Sequence, residues 1–360
     1  MKIIILAGGI GTRFWPVSRR ACPKQFYAII DQRTMIEHTF DRFVGSFSIE
    51  DIFFSTTFEF KDIIKKIFPK TSRENIIVEP EKRDTGPAMG YVVSFLFLKF
   101  PDEPIVFVPS DHYIANVETF IKTLKIAEKL IKKTGKLIDI GIVPNFPSTV
   151  LGYTHIGKKY QEIDGIQVFW FREHKEKPNY ESAKKYVEAG DYFWHANFYT
   201  WTPRAFLEAY KKYAPYLHRH LEKIQSALKK RDVESVKKEY SKMKKISFDY
   251  AITEKMDPQE VLIIRGDFGW SDVGAWDVLY DRLSKKVDRY GNISRGLWCG
   301  IDTSGSLIYG EKDKLIATIG IDDLIIVDTK DALLICPKGR AQDVKKLVEK
   351  LEKEKKDRYL

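Results

Sequence analysis

"IIILAGGIGTRFWPVSRRACPKQF", residues 3–26, decides how the rest of the chain is read. Ile3-Ile4-Ile5-Leu6 has the length and character of a buried strand. Glycines, cations and two prolines follow, where most α/β units would start a first helix. A dinucleotide fingerprint needs a third glycine after Gly9-x-Gly11, and Phe14 occupies that place. No Gly-Lys-Ser/Thr closes the loop, so it is not a Walker motif either. What remains is a backbone with few side chains, able to approach a ligand closely and turn amide N–H groups toward it. Arg13 stands in this loop, and Lys24 follows Pro23. A planar fork and a point charge together suit a polyphosphate.

Outward from this loop, short apolar runs alternate with amphipathic stretches. The pattern predicts strands at 2–6, 51–55, 75–79, 104–108 and 136–141, with helices at 34–44, 58–67, 86–99 and 117–133. Such alternation predicts an α/β fold with a parallel sheet covered on both faces. Ligands of these sheets sit beyond the carboxyl ends of the strands. That directs attention to the opening loop, to "EPEKRDTGPAMG" after 75–79, and to "PSDHYI" after 104–108. Residues 150–275 are less regular. In the last 70 residues, apolar runs begin near Leu307, Leu315, Leu324 and Leu333, separated by turn-like strings. Their spacing predicts a short, imperfect β-solenoid or a β-meander. The tail places Val344, Leu347, Val348 and Leu351 on one helical stripe, to pack on its own domain or on a second copy.

The 360 residues are 44% hydrophobic, enough for a sizeable core. A net charge of +10 suits phosphorylated ligands, nucleic acid or a membrane surface. Much of the excess is spread along helical segments such as 125–136 and 221–245, and no nucleic-acid motif accompanies it. Cys22, Cys299 and Cys336 are far apart and lack metal-ligand spacing. The chain shows no cleavable leader and no run long enough to span a bilayer. A soluble cytoplasmic protein, bound to neither nucleic acid nor membrane, is the expectation.

With these residues in view, "LAGGIGTRFWPVSRRACPKQF" resembles the signature of the sugar-nucleotide pyrophosphorylases, a family of nucleotidyltransferases, and within it the mannose-1-phosphate guanylyltransferases. Four further stretches match in the expected order: "VEPEKRDTGPA" (78–88), "VPSDH" (108–112), "EKP" (176–178) and "GWSDVGAWD" (269–277). The resemblance implies a Rossmann-like, GT-A-like mixed or parallel sheet over residues 1–288. It implies a small left-handed β-helix-like domain with a terminal helix over 289–360. It also implies transfer of GMP from GTP to mannose 1-phosphate, giving GDP-mannose and pyrophosphate, with Mg²⁺ as cofactor and a homodimer as the working form. Some members carry a fused isomerase domain, which this chain is too short to hold as well.

By the same resemblance, Arg13, Lys24 and Lys177 are catalytic cations, and Asp111 and Asp272 hold Mg²⁺. Leu6, Ala7, Gly8, Gly9, Gly11, Thr12, Glu79, Arg83, Thr85, Gly86, Pro87 and Asp111 are implied to bind the nucleotide. Glu79 would accept from N1–H and N2–H₂ of guanine, a donor pair that adenine lacks. Gly152, Glu176, His195, Asn197 and Asp249 are implied at the sugar. Two departures stand out. Most relatives carry Asn where this chain has Asp84, and relatives tend to read Trp-Asn-Ser-Gly where it reads Trp194-His195-Ala196-Asn197. Read without the resemblance, Asp111 and Asp272 are also ordinary turn or cap residues, and Trp194, Phe198 and Tyr199 a buried aromatic strand. The alternatives are a pyrophosphorylase for another sugar or base, such as a glucose 1-phosphate thymidylyltransferase, and a non-catalytic nucleotide-sugar-binding regulatory protein. Thymidylyltransferases carry Gln-Pro where this chain has Glu79-Pro80, which favours guanine. A regulatory protein has no need of both metal carboxylates.

Overall fold

The run Ile3–Leu6 becomes a central strand. In a computed structural model, which describes residues 1–9 and 11–360, β1 (Lys2–Leu6) pairs in parallel with β2 (Ile52–Thr57). β2 pairs in parallel with β3 (Ile76–Glu79), and β1 also pairs in parallel with β4 (Ile105–Pro109). Ile10 of the opening loop lies outside the described residues. Ile3, Ile4 and Ile5 are fully buried, as expected of a parallel strand covered on both faces. Helices Lys61–Ile67, Thr85–Phe97 and Val117–Thr134 follow β2, β3 and β4, close to their predicted places. Because these four strands are parallel, their carboxyl ends share one edge of the sheet.

Of the two plain readings of Asp111, turn or N-cap, the structure keeps the turn. β5 (Tyr113–Ile114) intervenes before helix Val117–Thr134, which Asn116 caps by accepting from the Thr119 N–H at 3.0 Å. Asp111 is thereby left for other work.

The less regular middle of the chain forms the antiparallel part of the same sheet. β6 (Leu137–Ile142) is followed by a long hairpin of β7 (Tyr153–Ile163) and β8 (Ile166–Lys175), which turns at Asp164-Gly165. Both turn residues have positive φ, as a tight two-residue hairpin requires. β9 (Tyr192–His195), β10 (Thr200–Trp201) and β11 (Val261–Gly266) complete ten strands in the order β11-β8-β7-β9-β6-β10-β4-β1-β2-β3. The sheet is therefore mixed: parallel through β3-β2-β1-β4, antiparallel across β10, β9, β7 and β8, and parallel again between β6 and β11.

By compactness the chain forms two units. The first is Met1–Gly8, Phe40–Pro109 and Ile114–Trp270, and it contains the ten-stranded sheet. The second gathers Gly9–Thr39, Ser110–Tyr113 and Ser271–Leu360. β12 (Trp270–Ser271) precedes the β-rich region of β13 (Ile293–Arg295), β14 (Leu297–Ser304), β15 (Leu307–Tyr309), β16 (Leu315–Asp322), β17 (Leu324–Asp328) and β18 (Leu333–Pro337). β13, β15 and β17 stack in parallel, with Ile293, Leu307 and Ile325 in register, while β14 and β16 form a second parallel pair. Alternation of the chain between two parallel stacks is the rung pattern of a β-helix. β18 breaks it by pairing antiparallel to β17, which is why the eight- to nine-residue spacing is imperfect.

The second unit's core includes Phe14, Trp276, Leu307, Ile325, Val344 and Val348. Phe14 meets Trp276 edge-on with centroids 4.8 Å apart, and the Trp276 indole N–H donates to the Trp15 carbonyl at 3.1 Å. The terminal stripe is used within this unit: Val344 and Val348 are buried and Leu351 packs on the same core, with Leu347 more exposed. The helix proper is Val344–Lys353, preceded by a 3-10 turn at Lys338–Asp343. Among the described residues, no helix is long and apolar enough to cross a membrane.

Candidate active site

In the second unit the opening loop is built around Lys24. Pro23 sets φ at −67° and leads into the 3-10 turn Lys24–Phe26, whose first N–H donates to Ser18 Oγ at 3.0 Å. Gly11 has φ 65°, and a Cβ there would lie 2.6 Å from Lys24 Cγ, so the lysine stem requires this glycine. Lys24 is 5% exposed. Its Nζ lies 2.9 Å from Asp111 Oδ2 and donates to the Val273 carbonyl at 3.1 Å. Val273 is a β-branched residue at φ 37°, a costly conformation that presents its carbonyl to Lys24 beside Asp272. Gln25 steadies the loop, donating to the Gly9 carbonyl at 2.9 Å.

The two carboxylates respond differently to this setting. Burial alone would raise the Asp111 carboxyl, but the Lys24 ammonium, helped by His112, holds it below its ordinary value. Burial pushes Asp272 up despite Lys24 and Arg13, and the Asp111 charge adds to the rise. A Cβ on Gly274 would fall 2.7 Å from Asp272 Oδ2 and 3.2 Å from an Arg13 guanidinium nitrogen, so both groups border that glycine. Arg13 is held from behind: its guanidinium donates to Gln342 Oε1 at 3.0 Å, and Gln342 Nε2 donates to both Asp277 oxygens at 3.0 Å. The result is a paired-carboxylate centre crossed by two fixed cations. Its hard oxygen donors and the raised Asp272 fit a divalent cation completed by phosphate oxygens.

In the first unit, Glu79 ends β3 as a buried carboxyl rather than a solvated one. The Tyr240 hydroxyl donates to its Oε2 at 2.5 Å. Burial raises Glu79 to about 7 against the opposing effects of Tyr240 and Lys82. Burial and the Glu79 charge push the Tyr240 phenol well above its ordinary range, keeping it a donor. Gly8 lies alongside, since a Cβ there would be 3.4 Å from Glu79 Oε1. Leu6 closes β1, and Ala7 is tied to β2, its N–H donating to the Ser55 carbonyl at 2.8 Å.

Downstream, Asp84 caps helix Thr85–Phe97 from φ 69°, accepting from the Thr85 N–H at 2.7 Å. Asn tolerates this conformation and can supply the same acceptor, which accounts physically for the exchange between the two. Thr85 Oγ1 accepts from the Phe248 N–H at 2.9 Å. Gly86 is pressed against the Ile246 carbonyl, which a Cβ would meet at 2.6 Å, and Pro87 is buried beside it. Arg83 donates to Glu81 at 2.6 Å and to the Met243 carbonyl at 2.5 Å.

A second polar cluster of the first unit gathers Glu176, Asp249 and His195 with His174 and Asp139. His174 Nε2 lies 3.3 Å from Glu176 Oε2 and 3.9 Å from Asp249 Oδ1. His195 Nδ1 lies 2.8 Å from Asp139 Oδ2, and its Nε2 lies 3.6 Å from Asp249 Oδ1. Burial alone would lower His195, yet Asp139, Asp249 and Glu176 carry it up to about 9. Burial would raise Glu176, but His174 and Lys177 hold it well below its ordinary range. Tyr199 donates to Asp249, and Lys177 donates to Glu176 from a half-exposed side chain at φ 48°. Asn197 adopts φ 57°. It therefore keeps the left-handed backbone that glycine would take most easily.

Two known family models divide the chain between them. A model described as Nucleotidyl transferase matches residues 2–289, and one described as MannoseP isomerase/GMP-like beta-helix domain matches residues 296–351. The chain belongs to the nucleotidyl transferase family. An Escherichia coli mannose-1-phosphate guanylyltransferase is 33% identical over 357 residues, covering 97% of this chain and 75% of the relative. One from Klebsiella pneumoniae is 32% identical over 367 residues, covering 99% and 75%. Among solved structures, a Thermus thermophilus protein described as a mannose-1-phosphate geranyltransferase superposes with a TM-score of 0.85. It is 27% identical, with 98% of this chain and 99% of that one covered.

Within this nucleotidyl transferase, the second unit brings together Arg13, Lys24, Asp111 and Asp272, with Gly9, Gly11 and Thr12 in the same loop. The first unit brings together Glu176, His195 and Asp249 around Gly152. Glu79 and Gly8 form a separate group with Tyr240. Four partners escaped sequence reasoning: Gln342, Tyr240, His174 and Asp139. For Asp139 a signal existed, a lone carboxylate inside the apolar strand "LIDIGI". His174 alternates with Glu176 at the end of β8, a spacing that puts both on one face of a strand. Gln342 and Tyr240 carried no such mark.

Proposed function

We propose that the protein transfers the guanylyl group of GTP to mannose 1-phosphate, releasing GDP-mannose and pyrophosphate, in the cytoplasm. The observation that carries the reading is the buried Lys24 held between Asp111 and the Val273 carbonyl next to Asp272. A charge-complementary centre of this kind handles polyphosphates, and the guanylyltransferase relatives supply the substrate pair. A phosphate oxygen of mannose 1-phosphate attacks the α-phosphorus in line. An oxygen–phosphorus bond forms as the bond from the α-phosphorus to the bridging oxygen of the β-phosphate breaks, and pyrophosphate carries off the electron pair. The attacking phosphate is already ionised, so no protein base is required.

Positioning and charge neutralisation do the chemistry. Arg13 and Lys24 neutralise the triphosphate and the leaving pyrophosphate, and Lys177 the sugar phosphate. Asp111 and Asp272 would hold Mg²⁺, which when bound adds charge neutralisation at the phosphates. Glu79 accepts from N1–H and N2–H₂ of guanine, with no side chain on Gly8 beside its Oε1, and must be ionised to accept both. GTP affinity should therefore rise as pH increases through about 7. Glu176 and Asp249 offer acceptors to hexose hydroxyls.

The test is a substrate matrix, each nucleoside triphosphate against mannose-, glucose- and fucose-1-phosphate with Mg²⁺, scored by pyrophosphate release. GTP with mannose 1-phosphate should dominate; strong preference for TTP or UTP would overturn the assignment. We also read the protein as a homodimer. β14 and β16 leave Leu297, Ile301, Leu315 and Ile319 exposed in one register, an apolar face suited to a second copy. Sedimentation showing only monomer would remove that reading.

A further inference from the structure

A carboxylate can serve two parallel donors of a base only if its plane is fixed. The terminal torsion of a glutamate is broad and two-fold, so an unsupported Glu79 would turn its oxygens freely. One side chain supports it. The Tyr240 hydroxyl donates to Glu79 Oε2 at 2.5 Å, across 161 residues of sequence. Glu79 is 6% exposed and Tyr240 is fully buried. The bond is thus made away from bulk water, where a donor to a charged acceptor counts most.

Tyr240 is itself firmly held. It ends the helix Val233–Tyr240, and its ring meets Tyr91 edge-on with centroids 5.6 Å apart. The segment beyond it is tied to the loop that follows Glu79. The Arg83 guanidinium donates to the Met243 carbonyl at 2.5 Å, and the Gly86 N–H donates to the Ile246 carbonyl at 2.9 Å. The Phe248 N–H donates to Thr85 Oγ1 at 2.9 Å. Residues 240–248 therefore run along Glu79–Gly86 as a strap. Of these four contacts, the phenol's is the one made to Glu79.

The division of the carboxylate follows. An ionised carboxylate offers roughly four lone-pair sites. Tyr240 takes one on Oε2, which leaves the other on Oε2 and those of Oε1, beside which Gly8 carries no side chain. Two donors lying in the carboxylate plane can be met there. Charge depends on the same residue. Burial raises Glu79; Tyr240 and then Lys82 oppose the rise, and Glu59 and Asp84 add to it. Without the phenol more of Glu79 is neutral near pH 7, and a neutral acid presents an O–H where the base brings a second donor.

We propose that Tyr240 is the positioning residue for base selection. Its hydroxyl sets the plane of Glu79 and keeps it an acceptor. The site thereby distinguishes a purine with the guanine N1–H and N2–H₂ pair from one that lacks the amino group. This rests on the guanylyl reading and adds the residue that gives the base contact its geometry.

The test compares full-length wild type, Tyr240→Phe and Glu79→Gln with GTP and with inosine triphosphate, which lacks the amino group. Mannose 1-phosphate and Mg²⁺ are saturating, and pH is varied through neutrality. In Tyr240→Phe, KM for GTP should rise about tenfold at unchanged kcat, and the preference for GTP over inosine triphosphate should shrink by a similar factor. The pH midpoint of KM for GTP should move up by about one unit. Tyr91→Phe, which keeps the ring beside Tyr240, should match wild type; an equal loss there would reduce Tyr240 to packing. Circular dichroism checks folding, and should Tyr240→Phe unfold, Tyr240→Met carries the same comparison. Wild-type KM, selectivity and midpoint in Tyr240→Phe, with Glu79→Gln impaired for GTP, would overturn the proposal and leave the guanylyl reading standing. Glu79→Gln protein with a wild-type KM for GTP would remove guanine recognition at Glu79, and the proposal with it.

Discussion

The Lys24–Asp111–Asp272 centre and the His174–Glu176–His195–Asp249 cluster set the same residue chemistries to opposite purposes. In the first, an ammonium and a guanidinium stand among carboxylates, and Asp111 keeps nearly a third of its side chain exposed. Such a centre gains most when phosphate oxygens arrive. In the second, imidazoles face carboxylates at side-chain exposures of 0–9%, and the charge is balanced internally before any ligand comes. The contrast teaches that the same charges can be set in a partly exposed, mixed centre or buried in an internally paired one.

That contrast can be broken in four ways. Its largest expected effect lies in the first centre. Asp272→Asn should lower turnover by about 10³-fold, on the order of 4 kcal/mol of transition-state stabilisation, with the fold intact. Near-normal pyrophosphate release from this variant or from Arg13→Ala would remove the centre from catalysis. In the second cluster the cost should fall on stability. Asp139→Ala strips His195 of its buried partner and should destabilise the protein by about 3 kcal/mol, read from urea midpoints. A midpoint unchanged from wild type would show that the internal balance counts for little.

Glu79 sharpens the comparison through pH. Its folded value is raised from 4.5 to about 7, so the folded state holds the extra proton between those limits. Stability should be greatest below pH 4.5 as far as this group is concerned, fall as pH rises to about 7, and then level off. The loss is on the order of 3 kcal/mol. Glu79→Gln should flatten that part of the profile; an identical slope in the variant would assign the effect elsewhere. The smallest effect belongs to Gln342→Ala, which releases Arg13 without removing it. A loss of about tenfold in kcat, roughly 1.4 kcal/mol, is expected with little change in melting temperature. No change in kcat would mean that Arg13 needs no support.

Much of this was legible in the sequence. The strands at 2–6 and 104–108 and the helix at 117–133 stand within a residue of their predicted bounds because period and burial agree there. The bare opening loop drew attention to Arg13 and Lys24, whereas Asp111 and Asp272 were singled out by the resemblance, since an aspartate in such a loop serves a turn or cap equally well. The antiparallel half of the sheet was not legible. Its strands β9 and β10 are short, and aromatic runs such as "YFWHANFYTW" carry no two-residue alternation. His174 and Asp139 were missed for a related reason: a strand interior hides its chemistry among residues chosen for packing. Tyr240 and Gln342 act through tertiary contacts at separations of 161 and 329 residues, which no local pattern encodes.

The long reach of Gln342 bears on how the molecule is made. Arg13 and Trp15 are synthesised well before their partners Gln342 and the Tyr359 carbonyl, which follow 329 and 344 residues later. Until then the opening loop has neither its clamp nor most of the core under Phe14. A loop translated early is therefore organised late, and a nascent chain cannot hold Arg13 and Trp15 in their final setting until the β-rich region and the terminal helix have been made.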